Sequence, residues 1–317
     1  MSAPVSELAL ACYAKGELTG VMREAIISIM YKGKGERDLW KFYRPVSLTD
    51  STMRIIDKAM QMALNKAVPT VLCGVNRAFL PGERIEHDTL TMAETARYCH
   101  QTSGGAIACL DADKAYDRVE PAFLKEVLRT MRFPPEFIRF IDMLYADNHA
   151  RLKVNGHVGG AFRQRNGLRQ GLPSSCPLWL LYVEPLIRYL QSDPKLKGIT
   201  VPGELGRGTT QVKVAAYADD LKQYCANMKE VAYLARGPIP LWYRASRQIM
   251  SEEKFTIVLL GDAIHSVKPY FGLGVNSAFE DVAVLLEELD QQEELSTALR
   301  KYSNRRSAEA RILVQMS

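Results

Sequence analysis

The sequence has no pair of cysteines at CxxC spacing. Its six cysteines, Cys12, Cys73, Cys99, Cys109, Cys176 and Cys225, are scattered, and none forms a Cys/His pair at metal-ligand spacing. That pattern argues against a zinc ribbon or finger and predicts reduced thiols in the core or at the surface. No apolar run approaches the roughly 20 residues that span a bilayer. No basic region precedes the apolar patch Leu8–Cys12, so neither a membrane partner nor a secretory leader is predicted, and the chain reads as intracellular, nuclear or cytoplasmic. Internal repeats and low-complexity tracts are absent. So is a strand–GxGxxG–helix, the element that binds the adenosine half of a dinucleotide.

What is present fits a globular protein: 317 residues, 47% hydrophobic and 24% charged, enough for two domains. The net charge of +5 is unevenly spread. Residues 255–317 carry nine acids against six bases, while the remaining 35 bases and 27 acids make residues 1–254 +8. A basic body with an acidic tail suits a polyanionic partner for the body; nothing points to a specific protein partner.

The first hundred residues alternate helical stretches with turn signals, and Ile55–Val68 reads as a helix closed by Pro69. Gly104-Gly105 precedes a buried strand, Ala106–Leu110, that delivers Asp111 at its end. Pro121 opens a helix with Phe123, Leu124, Val127, Leu128 and Met131 on one face, and Phe137–Leu144 is a second. Residues 151–162 read as a hairpin turning at Asn155-Gly156, a type I′ signal. Pro177–Leu190 is a mostly buried helix, Gly198–Gly208 a loop, and Gln211–Ala216 a strand running into Tyr217-Ala218-Asp219-Asp220.

Nucleotidyl transfer uses two divalent cations about 4 Å apart, one activating the attacking oxygen and one stabilising the leaving oxygen. Magnesium takes hard oxygen ligands, so carboxylates must converge at a strand edge. Asp111 ends a strand and Asp219-Asp220 sit at a predicted hairpin turn; in neighbouring strands they would meet. An Asp-Asp pair alone is most often a solvated turn. The similar Tyr145-Ala146-Asp147-Asn148 lies at a helix end without a second acid and reads as structural.

These segments resemble the reverse transcriptases of LINE-like, non-LTR retrotransposons. Ala108-Cys109-Leu110-Asp111-Ala112-Asp113-Lys114-Ala115-Tyr116-Asp117-Arg118-Val119 resembles the family's first catalytic motif. Asn166-Gly167-Leu168-Arg169-Gln170-Gly171-Leu172-Pro173 resembles its Arg-Gln-Gly motif, and Tyr217–Asp220 its metal-binding turn. Tyr43–Leu48 and Asn76–Gly82 resemble its fingers motifs, and Ala245–Lys254 the element after the metal turn. The resemblance spans residues 20–254. It implies an α+β fold: a polymerase palm of split βαβ, ferredoxin-like form over 104–254, with partial fingers over 1–103. It implies an RNA-directed DNA polymerase acting on a template-primer and deoxynucleoside triphosphates with two Mg²⁺ ions. Asp111 and Asp219 would hold both ions, with Asp220 nearby and the Ala112 carbonyl as a further ligand. Tyr116 would lie under the incoming sugar, or else be a core aromatic. Gln170 and Gly171 would pack on nucleotide and template, Lys254 would protonate pyrophosphate, and Lys58 and Arg84 would touch the triphosphate. Two departures stand out. Glu83 occupies the place of an arginine, and Lys222-Gln223 are polar in a strand that is normally apolar, which predicts fraying or displacement.

Residues 255–317 resemble something else, the flavin-contacting segment of kynurenine monooxygenase-type hydroxylases. Phe255–Leu260 reads as a strand, followed by Gly261-Asp262, Pro269, Gly272-Leu273-Gly274-Val275-Asn276 and a helix from Glu280-Asp281. The resemblance implies that Gly261, Asp262, Gly272, Gly274 and Asn276 descend from a flavin site. Without an adenosine-binding half, FAD is not expected to bind. The primer-gripping turn and thumb expected after Lys254 are also missing, so the sequence predicts a weakly active or inactive polymerase fragment joined to a monooxygenase remnant, or a fusion product without enzymatic function.

Overall fold

The computed structural model describes residues 3–33, 36–80, 82–101, 105–112, 114–202, 208–248 and 256–260, together with Val284, Glu287, Glu288, Thr297 and 300–305. In chain order these form α1 (Ala3–Lys15), α2 (Gly20–Arg23), β1 (Glu24–Tyr31), β2 (Tyr43–Thr49), α3 (Ser51–Val71) and α4 (Ile85–Gln101). There follow β3 (Gly105–Asp111), α5 (Pro121–Thr130), α6 (Pro135–Tyr145), β4 (Asn148–Val154), β5 (His157–Gln164) and α7 (Ser175–Ser192). The rest comprises β6 (Ile199–Pro202), β7 (Thr209–Val212), β8 (Val214–Tyr217), β9 (Asp220–Cys225), α8 (Met228–Arg236), α9 (Pro238–Ser246) and β10 (Thr256–Leu260). The fold is mixed helix and sheet. Among the described residues no helix is long and apolar enough to cross a membrane.

Two compact units interleave along the chain. The first takes residues 1–74, 114–185 and 245–248. Its sheet has the order β2-β1-β4-β5, with β1 parallel to β4 and antiparallel to β2. Asn155 and Gly156, both at positive φ, make the β4–β5 turn as their sequence demands. The strands run further than expected, over 148–154 and 157–164. Asp50 caps α3 by accepting the Thr52 and Met53 amides, and Met53, Ile56, Leu64 and Val68 form its buried stripe. Proline opens α5 and α6, where its missing N–H would have no helical partner. Trp179, Tyr182, Leu124, Leu128, Ile141 and Leu144 are fully buried in this unit.

Two expectations fail here. β1 and β2 are strands where helices and turns were expected; Glu24–Tyr31 is apolar on both faces and so lacks a period-2 signature. Pro69 does not close α3, which continues to Val71. A proline so near the end removes one ladder bond and leaves the preceding turns intact.

The second unit takes residues 75–113, 186–244 and 249–317. Its main sheet has the order β10-β3-β9-β8, all neighbours antiparallel. On one face Ile107, Ala215 and Tyr224 pack with Cys99 and Ile199, joined by Met92 and Ala96 of α4. On the other, Ala106 and Cys225 meet Val231 of α8. The segment read as a loop from Gly198 is in part a strand, since β6 pairs antiparallel with β7. The strand expected over 211–216 breaks at Lys213, whose ammonium donates to the Gln191 and Asp193 carbonyls (3.1 and 3.2 Å). In the tail, Val284, Glu287, Glu288, Thr297 and 300–305 are helical, with Val284 and Tyr302 buried. Val282, Leu285, Leu286 and Leu289 of the same stretch lie outside the described residues.

Candidate active site

β3 lies between β10 and β9, a position its small apolar residues suit because both faces are covered. Its last residue, Asp111, is the register partner of Asp220, the first residue of β9. Tyr217 of β8 pairs with the same Asp220, so Ala218 and Asp219 are the two residues of a tight turn. Cα atoms of such partners stand about 4.5–5.5 Å apart. One end of one sheet therefore gathers Asp111, Asp219 and Asp220. Asp219 and Asp220 are exposed; the Asp111 side chain lies outside the described residues. Among the described side chains no group of three or more His, Cys, Asp or Glu could hold a metal ion.

The turn is held from outside. Ala218 has φ 58°, a left-handed conformation uncommon for a residue with a Cβ. Asn76, 1% exposed, donates its Nδ2 to the Ala218 carbonyl (3.0 Å) and accepts the Ala218 amide on Oδ1 (3.1 Å). Asn76 belongs to a motif singled out in the sequence, but nothing there signals this contact.

β9 itself is neither frayed nor displaced. It is a central strand, and Gln223 is fully buried with its Nε2 donating to the Tyr224 carbonyl (3.1 Å). Lys222 pairs with Asp88 of α4, both side chains being about nine-tenths buried. The polar pair is tolerated because the lysine has a carboxylate waiting and the glutamine finds a backbone acceptor.

A second constellation belongs to the first unit. The Gly167 amide donates to the Val119 carbonyl and the Leu168 amide to the Tyr116 carbonyl, both at 2.8 Å. Gln170 Nε2 donates to Asp117 Oδ1 (2.8 Å), and the Gln170 carbonyl accepts the Ser47 amide (3.1 Å). Tyr116, Gln170 and Gly171 are thus gathered on one loop cluster, and Asp117 joins them as a residue the sequence reading gave no role. Tyr116 is half-buried and stacks on Trp179 at 5.4 Å. Gly171 has φ +116°, and a Cβ there would lie 2.6 Å from the Ser47 carbonyl oxygen. Its close approach is to β2.

Beneath this loop lie two buried charges. Arg169, 1% exposed, donates to the Met22 and Arg23 carbonyls (3.1 and 2.7 Å) and to Asn148 Oδ1. Asp57 accepts the Ser174 amide (2.8 Å) and hydroxyl (2.5 Å). Burial pushes the Asp57 carboxyl up, against the lowering effect of Ser174 and Arg169, and burial likewise pulls the Arg169 guanidinium down. Both are scaffold for the loop, and single-sequence reading could find neither.

The other predicted positions are dispersed. Lys58 sits on α3 with its ammonium on Gln61 Oε1 (2.6 Å), beside a cavity of about 700 Å³ lined by Arg54, Ile55, Met62 and Pro173. Arg84 is exposed just before α4. Glu83, standing in the place of an arginine, faces Arg77 at 3.7 Å and His87 at 3.4 Å. Asp147 is ion-paired with Arg23 (3.1 Å), in keeping with a structural role. Ala112 is half-buried just past β3. Lys254, Gly261, Asp262, Gly272, Gly274 and Asn276 lie outside the described residues.

The sequence profile of the family described as "Reverse transcriptase (RNA-dependent DNA polymerase)" matches residues 33–296. The chain is 30% identical over 210 residues to "Transposon TX1 uncharacterized 149 kDa protein" of Xenopus laevis, covering 66% of this chain and 16% of that protein. It is 24% identical over 225 residues to "Retrovirus-related Pol polyprotein from type-2 retrotransposable element R2DM" of Drosophila melanogaster, covering 69% and 20%. The chain therefore spans a fifth or less of the retroelement relatives it matches. A separate, short similarity to kynurenine 3-monooxygenase of Mycosarcoma maydis is 40% identical over 60 residues, 19% of this chain and 10% of that enzyme. Among solved structures, apo telomerase from Candida tropicalis superposes with a TM-score of 0.52 at 12% identity, over 82% of this chain and 50% of that one, a likeness of fold alone.

Proposed function

The chain belongs to the reverse transcriptase (RNA-dependent DNA polymerase) family, and from that premise we propose that it carries the nucleotidyl-transfer site of a non-LTR retrotransposon polymerase. In this reading residues 1–103 are fingers-like and 104–254 the palm; the strand order β10-β3-β9-β8, whose outer strand β10 lies just past that boundary, supports a split βαβ form. The observation that carries the reading is the register bringing Asp111 opposite Asp220, with Asp219 in the adjoining turn.

That donor set fits a hard divalent cation: carboxylates only, clustered at one sheet end, two of them exposed. Asp111 and Asp219 would hold two Mg²⁺ ions, with Asp220 and the Ala112 carbonyl beside them. Bound there, the ions would activate the primer 3′-hydroxyl and stabilise the charge on the departing pyrophosphate. Tyr116 would underlie the deoxyribose. Gln170, its amide fixed by Asp117, would present a settled edge to the nucleotide. Lys254 would supply the proton that leaves with pyrophosphate, and Lys58 and Arg84 would meet the triphosphate. The partners are a template-primer and deoxynucleoside triphosphates.

Extension by the isolated chain is expected to be weak. The primer end must be held in attack geometry, where about 1 Å of misplacement costs roughly a hundredfold, and this chain has a fifth or less of its relatives' length to hold it. The test is extension of a DNA primer on an RNA template with Mg²⁺, comparing the chain with Asp219→Ala. Weak extension that the substitution abolishes is expected; equal extension in both would remove the site from these carboxylates.

A second reading, a flavin monooxygenase remnant, is favoured by the kynurenine 3-monooxygenase similarity. Ours assigns no flavin to the tail. Chain incubated with FAD should leave gel filtration colourless, and a stoichiometric flavin absorbance would favour the second reading.

A further inference from the structure

The sequence divides at residue 255, where likeness to a polymerase gives way to likeness to a flavoenzyme. The sheet does not divide there. β10, the first element of the tail, pairs antiparallel with β3 along its whole length, from Thr256 opposite Cys109 to Leu260 opposite Gly105. β3 is the strand that ends in Asp111. The family match likewise does not stop at 254 but runs on to 296.

Without β10, β3 would be an outer strand with Ala106, Ile107 and Ala108 almost wholly buried on its faces and one row of backbone groups unpaired. Each buried amide or carbonyl left without a partner is a cost to folding, and an apolar open edge invites pairing with other chains. Thr256-Ile257-Val258-Leu259-Leu260 is β-branched and apolar, the composition that suits a covered strand. What the edge requires is a short run of backbone with strand propensity, a demand that many sequences meet.

We infer that the edge of β3 is a strand-accepting surface and that its occupant is the flavoenzyme-like tail, which thereby completes the carboxylate-bearing sheet. Thr256–Leu260, the start of the tail, is a structural part of the polymerase-like unit. The strand that ends in Asp111 is paired on both sides over Ala106–Cys109, by β9 and by β10, one from each of the two sequence resemblances. This goes beyond the proposed polymerase function and does not depend on it, since the pairing can be read whether or not the chain extends a primer.

Two measurements on the full chain test it. In the first, Thr256→Cys is treated with diamide; register partners share a face, and Cα separations in an antiparallel pair lie within reach of a disulfide. Successive strand positions alternate between faces, so peptide mapping should find a 256–109 disulfide at about ten times or more the yield of a 257–109 disulfide in Ile257→Cys. Equal or absent yields would overturn the inference. The second needs no substitution: hydrogen exchange at residue resolution along Ala106–Cys109, the stretch paired with both β9 and β10. A strand paired on both sides protects successive amides, whereas an outer strand protects only alternate ones. Alternating protection would overturn the inference even if the primer-extension assay succeeds.

Discussion

Asn76 holds Ala218 by both of its backbone polar groups, across 142 positions of sequence. The same Asn76 oxygen also accepts the Ala78 amide at 3.3 Å, so one side chain fixes its own loop and the carboxylate turn together. The turn needs this hold because a left-handed residue with a Cβ is disfavoured by roughly 1–2 kcal/mol.

Asn76→Ala should therefore cost more than the loss of an average side chain of its size. It removes two hydrogen bonds to the Ala218 backbone, each worth about 0.5–1.5 kcal/mol net. The expected outcome is a fall in the urea midpoint with an unchanged slope. A midpoint at the wild-type value would show that the turn keeps its shape without the clasp.

Much of this region was legible in the sequence, and the exceptions have physical causes. β3 could be read because a short run of small apolar residues after glycine has few other uses, and the Tyr217–Asp220 hairpin turn because its motif is local. β6 was hidden because Gly198 and Pro202 bracket it with turn chemistry, while its strand identity comes from pairing with β7. β1 carries exposed Ile26 and Met30 beside inward apolar residues, so no alternation announces it. The roles of Asn76, Asp57 and Arg169 are non-local contacts, which one sequence does not record. Lys222 was recognised as out of place, but Asp88, which makes it fit, lies 134 positions away.

That ion pair yields a second prediction. Lys222→Met leaves the Asp88 carboxylate buried without its cation and should destabilise the chain by about 3–5 kcal/mol. Combining it with Asp88→Leu removes both charges, and most of the loss should return. A double-mutant cycle in urea measures the coupling. Strictly additive losses would mean that solvent already screens the pair.

Cys99, Cys109 and Cys225 are all held above the usual thiol range by burial, Cys99 to about 11 and Cys225 to about 12. In the unfolded chain these thiols titrate near 8.5. Folding therefore keeps protons that the unfolded chain releases. The contribution is complete below about 8.5 and is lost as pH rises through the folded values. The urea midpoint should fall between pH 8 and pH 10, and exposed Cys73 should react with iodoacetamide well before these three. A midpoint that rises over that interval would contradict the sign.

Gly171 and Gly16 separate two costs of adding a methyl group. Both have positive φ, +116° and +76°, so alanine at either is strained by its backbone alone, by roughly 1–2 kcal/mol. At Gly16 nothing lies within 4 Å of a new Cβ. At Gly171 the Ser47 carbonyl oxygen would be 2.6 Å away, and it is backbone in β2, so it cannot swing aside as a side chain would. To relieve the contact the loop must withdraw, which breaks the bond from the Ser47 amide to the Gln170 carbonyl and shifts Gln170 from Asp117. Gly171→Ala should therefore lose more stability than Gly16→Ala, by about 1 kcal/mol or more for the broken hydrogen bond. It should also raise amide exchange at Ser47, which Gly16→Ala should leave alone. Equal losses in the two variants, with Ser47 still protected, would show that the loop gives way without cost and that Gly171 is there for its φ angle only.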